Sequence, residues 1–266
     1  MKKQNLFRKI PAAFGLCTVL ALGGCNTMDM EGTGAAQAHD EAELAAARSG
    51  VALKLARAAR DAGDMNSAIN LYQSVVAATP SDSPILVELG DAQLDAGAID
   101  DAVVTFQKID PKSSSQLGAM LGLERAHLML SEPVKALEFA DKAVALAPKD
   151  KRAQIGRGVA LDMLGRHEEA QSCYHVALDL APNDVAARSD LALSLALTKQ
   201  FDEAIKIMTP IARAPTATAR LRQNLAVIYG LKGDDSAARA LSRTDLTPHQ
   251  IEANLHFFDL VRNEQK

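Results

Sequence analysis

The sequence predicts an all-α solenoid of about six helix–turn–helix units, closed by a C-terminal capping helix. The first observation is a run of alanines spaced 34 residues apart, at Ala68, Ala102, Ala136, Ala170, Ala204 and Ala238. The second is a set of glycines and prolines at fixed offsets from these alanines, where helices are expected to end. The third is composition, since 4% of the 266 residues are aromatic and none is tryptophan. Small apolar side chains must therefore fill the core, which favours close helix-on-helix packing.

Residues 1–24 have a basic start followed by a short apolar run at 10–22, the pattern of a secretory signal. The run is shorter than the ~20 residues that a membrane-spanning helix needs. The motif Leu22-Gly23-Gly24-Cys25 resembles a bacterial lipobox, which implies cleavage before Cys25, its lipidation and a membrane anchor. The alternative is an ordinary secretory signal with a chance cysteine. Asn26 favours the periplasmic face of the outer membrane, by analogy with enterobacterial sorting.

The charge balance argues against nucleic acid as a partner. The whole chain has 29 Lys+Arg and 33 Asp+Glu, a formal net charge of −4. Residues 1–24 contain four basic and no acidic side chains. The cleaved chain would therefore have 25 Lys+Arg and 33 Asp+Glu, a formal net charge of −8. Surfaces that bind nucleic acid are basic instead. Of the three cysteines, only Cys173 would remain after cleavage and lipidation, which excludes an intramolecular disulfide.

Two short segments lead into the repeats. Residues 25–39 are polar, contain glycine and show no hydrophobic period, which predicts a lipid-anchored flexible tether. Residues 40–47 (DEAELAAA) predict a leading helix, whose acids would be favoured by the helix dipole at its N-terminus. The repeat domain is therefore expected to span residues 40–266.

Each unit is expected to begin with a helix that ends at a left-handed residue. Thirteen residues before the alanines lie Leu55, Leu89, Leu123, Arg157, Leu191 and Leu225. In five units the next residue is small, at Ala56, Gly90, Gly158, Ala192 and Ala226. Five residues before the alanines is the turn column, which holds Gly63, Gly97, Ser131, Gly165, Lys199 and Gly233. Glycine suits this column because a left-handed residue commonly ends a helix.

The second helix of each unit carries the alanine, which lets the first helix approach closely. Four residues later is a mostly bulky column, which holds Tyr72, Phe106, Ala140, Tyr174, Met208 and Ser242. Its larger members are expected to fill the groove to the next unit. Pro80, Pro148 and Pro182 follow three of the alanines by twelve residues. They predict the end of the second helix, because proline disfavours helix in the residue before it.

These columns resemble the tetratricopeptide repeat (TPR), a helix–turn–helix unit of 34 residues. The resemblance implies a right-handed superhelix with units at 49–82, 83–116, 117–150, 151–184, 185–218 and 219–252. The chain departs from the repeat where tryptophan is usual, at Ala52, Leu86, Met120, Gln154, Arg188 and Arg222. Unit five has Lys199 in the turn column, and unit six has Ser242 in the bulky column. Looser or shifted packing is predicted at these two places.

A last helix is expected to cover the open end of the solenoid. Thr247 and Pro248 mark its start, because proline fits the first turn of a helix. Its apolar face is predicted from Leu255, Phe257, Phe258, Leu260 and Val261.

A search for catalytic or metal-binding patterns finds little. His167 falls in the turn of unit four, where a solvated side chain is expected. Cys173 and His175 are two residues apart on one helix and point in different directions, so a buried inert thiol is favoured over a nucleophile. The sequence contains no GxSxG motif and no glycine-rich phosphate loop. We therefore expect no enzyme activity, no cofactor and no metal site.

A concave groove lined by the first helices is where the resemblance implies that a protein partner binds. Carried over by unit position, the central groove residues are Leu121, Arg125, Leu128, Met129, Ile155, Val159, Asp162, Met163, Leu193 and Leu197. The flanking positions are Leu53, Arg57, Arg60, Val87, Asp91, Leu94, Gln223 and Val227. The apolar centre and a predicted Arg125–Asp162 pair suit an amphipathic helix or an apolar peptide. The alternative is that several of these side chains pack between repeats.

Residues 222–262 resemble the C-terminal unit and cap of the TadD family, the TPR lipoproteins of tight-adherence (Flp) pilus systems. The likeness is carried by Arg222, Asn224, Leu225, Ala226, Gly230, Leu231, Gly233, Asn254 and Leu255. It implies a role in assembly or localisation of the pilus secretin at the outer membrane, as pilotins have. The alternative is a periplasmic scaffold that recruits envelope proteases or peptidoglycan enzymes. The oligomeric state is left open.

Overall fold

A computed structural model describes residues 31–264, and their side chains from 43 to 263. The predicted signal at 1–24, Cys25 and the tether as far as residue 30 lie outside the described residues. Within 31–264 the regular secondary structure is helical, and from Ala45 onward the chain forms one compact unit. In the same range, each helix is too short or too polar to cross a lipid bilayer.

Six consecutive helix pairs and a final helix follow the predicted repeat. The first helices of the pairs are α1 (Glu31–Asp61), α3 (Ser83–Asp95), α5 (Gln116–Met129), α7 (Lys151–Met163), α9 (Val185–Leu197) and α11 (Ala219–Lys232). The second helices are α2 (Met65–Ala78), α4 (Ile99–Gln107), α6 (Pro133–Leu146), α8 (His167–Leu180), α10 (Phe201–Ala212) and α12 (Asp235–Ser242). The last helix is α13 (Pro248–Glu264). Each second helix begins three to four residues after the first one ends.

The N-terminal segment differs from the prediction. Helix α1 spans Glu31–Asp61, so residues 31–39 are helical in the structure where the sequence showed no hydrophobic period. The predicted leading helix at 40–47 is continuous with the first repeat helix, and its acids are not at a helix N-terminus. Alanine is a strong helix former, and a glycine costs a helix only about 1 kcal/mol. A glycine-containing segment can therefore extend a helix that is already anchored.

The turn column adopts the left-handed conformation in every unit. Its four glycines have φ between 74° and 96°, and Ser131 and Lys199 join them at φ 57° and 63°. The expected shift of unit five at Lys199 is therefore wrong. The turn of unit five has the same backbone conformation as the other turns, although Lys199 carries a side chain and this conformation normally favours glycine.

The residues of the alanine column and of the bulky column are buried in the core of the solenoid. All six alanines are at most 1% exposed. In unit four, a Cβ atom added to Gly158 would lie 2.5 Å from the buried ring of Tyr174, so glycine is needed there for the two helices to approach. Ser242 in unit six is also buried and donates to Gln223 Oε1 at 3.2 Å. The predicted loosening at Ser242 is wrong as well. Leu55 is 53% exposed, and Ala56 packs inward in its place.

Polar side chains replace tryptophan in three units and tie down the preceding loop. Gln154 Nε2 donates to the carbonyl of Pro148 at 3.2 Å, and Arg188 donates to the carbonyl of Pro182 at 2.7 Å. Arg222 donates to the carbonyl of Ala217 at 2.7 Å, and it also forms an ion pair with Asp245. These bonds satisfy loop carbonyls that have no helical partner.

The C-terminal helix begins at Pro248 as predicted, but its packed face is narrower. Ile251, Leu255 and Phe258 are buried, whereas Phe257 is 59% exposed and Leu260 is 50% exposed. The buried residues are spaced by four and three, so they share one face of the helix. A Cβ atom added to Gly230 of α11 would lie 2.1 Å from the Phe258 ring. The missing side chain at residue 230 therefore makes room for the cap.

Candidate partner-binding groove

A groove lies along the first helices of units two to six. It has a volume of about 780 Å³, within the usual range for ligand pockets. Its apolar and glycine lining consists of Val87, Gly118, Leu121, Gly122, Leu128, Ile155, Gly156, Val159 and Ala186. Its charged lining consists of Asp91, Glu124, Arg125, Lys151, Arg152, Asp184, Asp190 and Arg220. An apolar floor with charged walls suits an amphipathic segment.

The structure brings together half of the predicted central residues. Leu121, Arg125, Leu128, Ile155 and Val159 all line the groove. Two of the predicted flanking residues, Val87 and Asp91, extend it along α3.

The other central residues lie elsewhere. Met129, Met163 and Leu197 are 44% to 51% exposed and lie outside the groove lining. Leu193 packs against the core cluster of units four to six. Among the flanking residues, Leu94 is buried in the core of unit two. The alternative that some of these side chains pack between repeats is therefore correct for Leu193 and Leu94.

Asp162 has a structural role in place of the predicted groove role. Its carboxylate accepts hydrogen bonds from Tyr174 Oη at 2.9 Å and from Ser194 Oγ at 2.8 Å. His167 Nδ1 lies 2.8 Å from Asp162 Oδ1, so His167 is not the solvated turn residue that was expected. This network links the two helices of unit four to the first helix of unit five.

Arg125 pairs across the units with different acids from the one predicted. Its guanidinium lies 3.1 Å from Asp91 Oδ1 and 3.4 Å from Asp95 Oδ1. The predicted pairing with Asp162 is wrong. Asp91 and Arg125 occupy equivalent positions in successive units, since they are 34 residues apart.

Several charged groove residues were missed by the sequence reading. Glu124 lies on α5 three residues after Leu121, and Asp190 lies on α9 three residues before Leu193. Residues three apart share a helix face, so this spacing was an available signal. The sequence contains a stronger signal for Glu124. This residue occupies the small-residue column, where the neighbouring units have Gly90 and Gly158.

Burial shifts three of the four acids in the groove lining towards their neutral forms; the exception is Asp184, where desolvation is outweighed and the hydrogen bond from Lys151 lowers the pKa. Desolvation raises the pKa of Glu124 to about 7, against the opposing effect of Arg125. Desolvation also raises the pKa of Asp190 to about 6, although Arg220 lowers it. The pKa of Asp91 is raised for the same reason, with Arg125 again opposing. The groove therefore holds carboxyl groups that are incompletely compensated by the surrounding cations.

Comparison with known proteins identifies the repeat. Residues 59–126 and 155–218 each match a family model described as tetratricopeptide repeat. The fold is a TPR solenoid. A TPR protein from Parabacteroides merdae superposes with a TM-score of 0.63 at 18% identity, covering 82% of this chain and 88% of that one. TTC0263, a TPR protein from Thermus thermophilus, gives 0.60 at 21% identity, covering 68% and 98%.

A curated relative is the uncharacterized protein y4yS of Sinorhizobium fredii, which is 32% identical over 85 residues. The alignment covers 32% of this chain and 47% of y4yS, so it spans about half of that relative. These two solved structures are less than 25% identical to this chain and establish its fold. Together with the repeat matches at 59–126 and 155–218, they show that the chain folds as a TPR-type solenoid.

Cys173 and His175, which are two residues apart on α8, have different surroundings. Cys173 is 3% exposed, and burial raises the pKa of its thiol. Its partner is Arg157, whose guanidinium donates to Sγ at 3.2 Å, whereas His175 is exposed. Within the described part of the chain, no three His, Cys, Asp or Glu side chains are grouped closely enough to hold a metal ion.

Proposed function

We propose that this protein is an outer-membrane-anchored TPR adaptor that assists the assembly or localisation of a tight-adherence (Flp) pilus secretin. In this proposal, lipid on Cys25 fixes the chain to the periplasmic face of the outer membrane. The groove along the first helices captures a segment of the secretin or of another assembly component. The mechanism is binding and positioning, with no chemical step.

The observation that carries the adaptor role is the groove itself. Its apolar floor includes Leu121, Leu128, Ile155 and Val159, and its walls are charged. A partner segment with one apolar face and one charged face would bury its apolar side chains there.

The pilus assignment is supported by the lipobox and by the likeness of residues 222–262 to the TadD family. Three residues that carry this likeness hold the end of the array together. Arg222 pairs with Asp245, Asn224 Nδ2 donates to Ser189 Oγ at 2.9 Å, and Gly230 makes room for Phe258. These contacts give the residues that carry the likeness a role in packing the last unit against the cap and the preceding unit.

The test is complementation of a deletion strain, with secretin multimers measured on gels after mild solubilisation. The wild-type gene is expected to restore them, and Cys25→Ser is expected to fail because the anchor is lost. Leu128→Asp is expected to fail because it puts a charge on the groove floor. Val134→Asp is the matched control, since Val134 is 71% exposed on α6 and outside the groove lining.

Normal secretin multimers in the deletion strain would refute the pilus role. In that case, capture of envelope proteases or peptidoglycan enzymes by the wild-type protein, but not by Leu128→Asp, would support the envelope-scaffold alternative.

A further inference from the structure

Glu124 is the most unusual side chain of the groove. The residue is 3% exposed, yet it lines the groove at its centre. Its Oε1 atom has no hydrogen-bond partner among the described residues. A buried carboxyl oxygen without a partner lacks the compensation that normally offsets its loss of hydration.

The chain makes room for this carboxyl group from the next unit. A Cβ atom added to Gly156 on α7 would lie 2.6 Å from the Glu124 carboxyl carbon and 2.7 Å from Oε2. The absence of a side chain at residue 156 therefore creates the space that the carboxyl group occupies.

The repeat pattern places Glu124 where a small residue belongs. In units two and four, Gly90 and Gly158 leave space for the rings of Phe106 and Tyr174. In unit three, the equivalent pair of positions is occupied by Glu124 and Ala140, so the large and small residues are exchanged. Glu124 is therefore a departure from the packing rule of the solenoid at the centre of the groove.

The cations of the groove already face other carboxylates. Arg125 pairs with Asp91 and Asp95, Lys151 pairs with Asp184, and Arg152 pairs with Asp150. Arg220 acts on Asp190. Arg125 acts on Glu124 through its charge, but among the described residues no cation is hydrogen-bonded to the Glu124 Oε1 atom.

We propose that the groove receives a lysine or arginine side chain of an amphipathic partner segment, which binds the carboxylate of Glu124 while the apolar face of the segment packs on the groove floor. This inference rests on the proposed function, because it takes the groove to be the binding surface. Asp190 of α9, which also lines the groove, provides a second carboxylate for the same or a neighbouring cation. In this proposal the groove supplies the carboxylate and the partner supplies the cation. A site that captures a peptide carboxylate has the opposite arrangement.

Binding of such a cation is coupled to loss of a proton. In the free protein Glu124 is partly protonated near neutral pH because desolvation raises its pKa. A cation held against the carboxylate favours the charged form. The charged groups that line the groove with Glu124 are Asp91, Arg125, Lys151, Arg152, Asp184, Asp190 and Arg220. The acids among them would also attract a cationic segment, so a variant of Glu124 itself is needed to isolate the contribution of Glu124.

The test is isothermal titration of the purified full chain with two synthetic peptides, (LKKLLKL)2 and (LEELLEL)2, at pH 7. Two buffers of different ionisation enthalpy report the protons released. The lysine peptide is expected to bind at least about tenfold more tightly than the glutamate peptide. It is also expected to release about half a proton from Glu124, which is about half protonated at this pH.

Glu124→Gln is expected to weaken binding of the lysine peptide on the order of tenfold, the size of one charge-assisted hydrogen bond. The number of protons released on binding should also be lower by about half a proton in this variant than in the wild type. Glu138→Gln is the control, because Glu138 is exposed on α6 and paired with Lys142. This control is expected to change the affinity by less than about twofold.

Equal binding of the two peptides would overturn the proposal, as would equal affinity and proton release in wild type and Glu124→Gln. Similar losses in the 124 and 138 variants would also overturn it, because they would indicate general surface charge. The peptide assay needs no secretin. The complementation experiment can therefore refute the pilus role without testing Glu124. The peptide assay can refute the role of Glu124 without testing the pilus role.

Discussion

Replacing Glu124 with glutamine tests whether the groove carboxyl weakens the fold. In the unfolded chain the carboxyl loses its proton near pH 4.5, and in the folded chain near pH 7. Between these values the folded state holds a proton that the unfolded state has lost. The free energy of unfolding of the wild type therefore falls as the pH rises through this window.

The size of the effect follows from the two pKa values. Raising the pKa from 4.5 to about 7 corresponds to about 3 kcal/mol, at about 1.4 kcal/mol for each pH unit. Glutamine has nearly the same shape and does not ionise. The variant is therefore expected to match the wild type at pH 4 and to be about 3 kcal/mol more stable at pH 8.

The assay is urea unfolding followed by circular dichroism at 222 nm, at several pH values from 4 to 8. The contribution of Asp190 is present in both proteins and cancels in the difference. Glu138→Gln serves again as the exposed control and is expected to show no such pH-dependent gain. A Glu124→Gln variant that is less stable than the wild type at pH 8 would refute the reasoning, because it would mean that the carboxylate is well compensated.

Three further stability changes follow from the packing, and urea unfolding measures each of them. Gly158→Ala is expected to destabilise the protein by about 2 kcal/mol, because the new methyl group meets the Tyr174 ring at 2.5 Å. Ser131→Gly is expected to stabilise it by about 1 kcal/mol, because residue 131 has φ 57°. Phe258→Ala is expected to cost about 3 kcal/mol, since this ring is 5% exposed in the cap. Phe257→Ala should change little, because that ring is 59% exposed.

Controls and contrary outcomes are specific to each change. Gly156→Ala is the comparison for Gly158→Ala on the same helix, because the atoms nearest to its added methyl group are those of the Glu124 carboxyl group and not those of a ring. Equal losses at residues 156 and 158 would contradict the ring-packing argument. Gly165→Ser is the reverse of Ser131→Gly at the same repeat position, so a gain in stability from it would contradict the turn argument. Equal effects at the two phenylalanines would contradict the assigned face of α13.

Much of the fold could be predicted because it depends on local rules repeated along the chain. The alanine column and the turn column mark where helices pack closely and where they end. Pro148 and Pro182 are preceded by the caps Ala147 and Ala181, directly after the ends of α6 and α8. The errors at Lys199 and Ser242 arose because surrounding packing can hold a residue in a conformation or position that its type disfavours.

The sequence by itself determined the repeat and the helix order, because a 34-residue period repeats one local structure. The resemblance to the TPR implied in addition that the first helices line the groove. Only the tertiary structure decided which charges meet. Arg125 binds Asp91 and Asp95 on the preceding unit, Asp162 is enclosed by Tyr174 and Ser194, and Glu124 has a carboxyl oxygen without a partner. The physical reason is that electrostatic energy depends on distance and burial across helices, and a periodic pattern within each helix specifies neither.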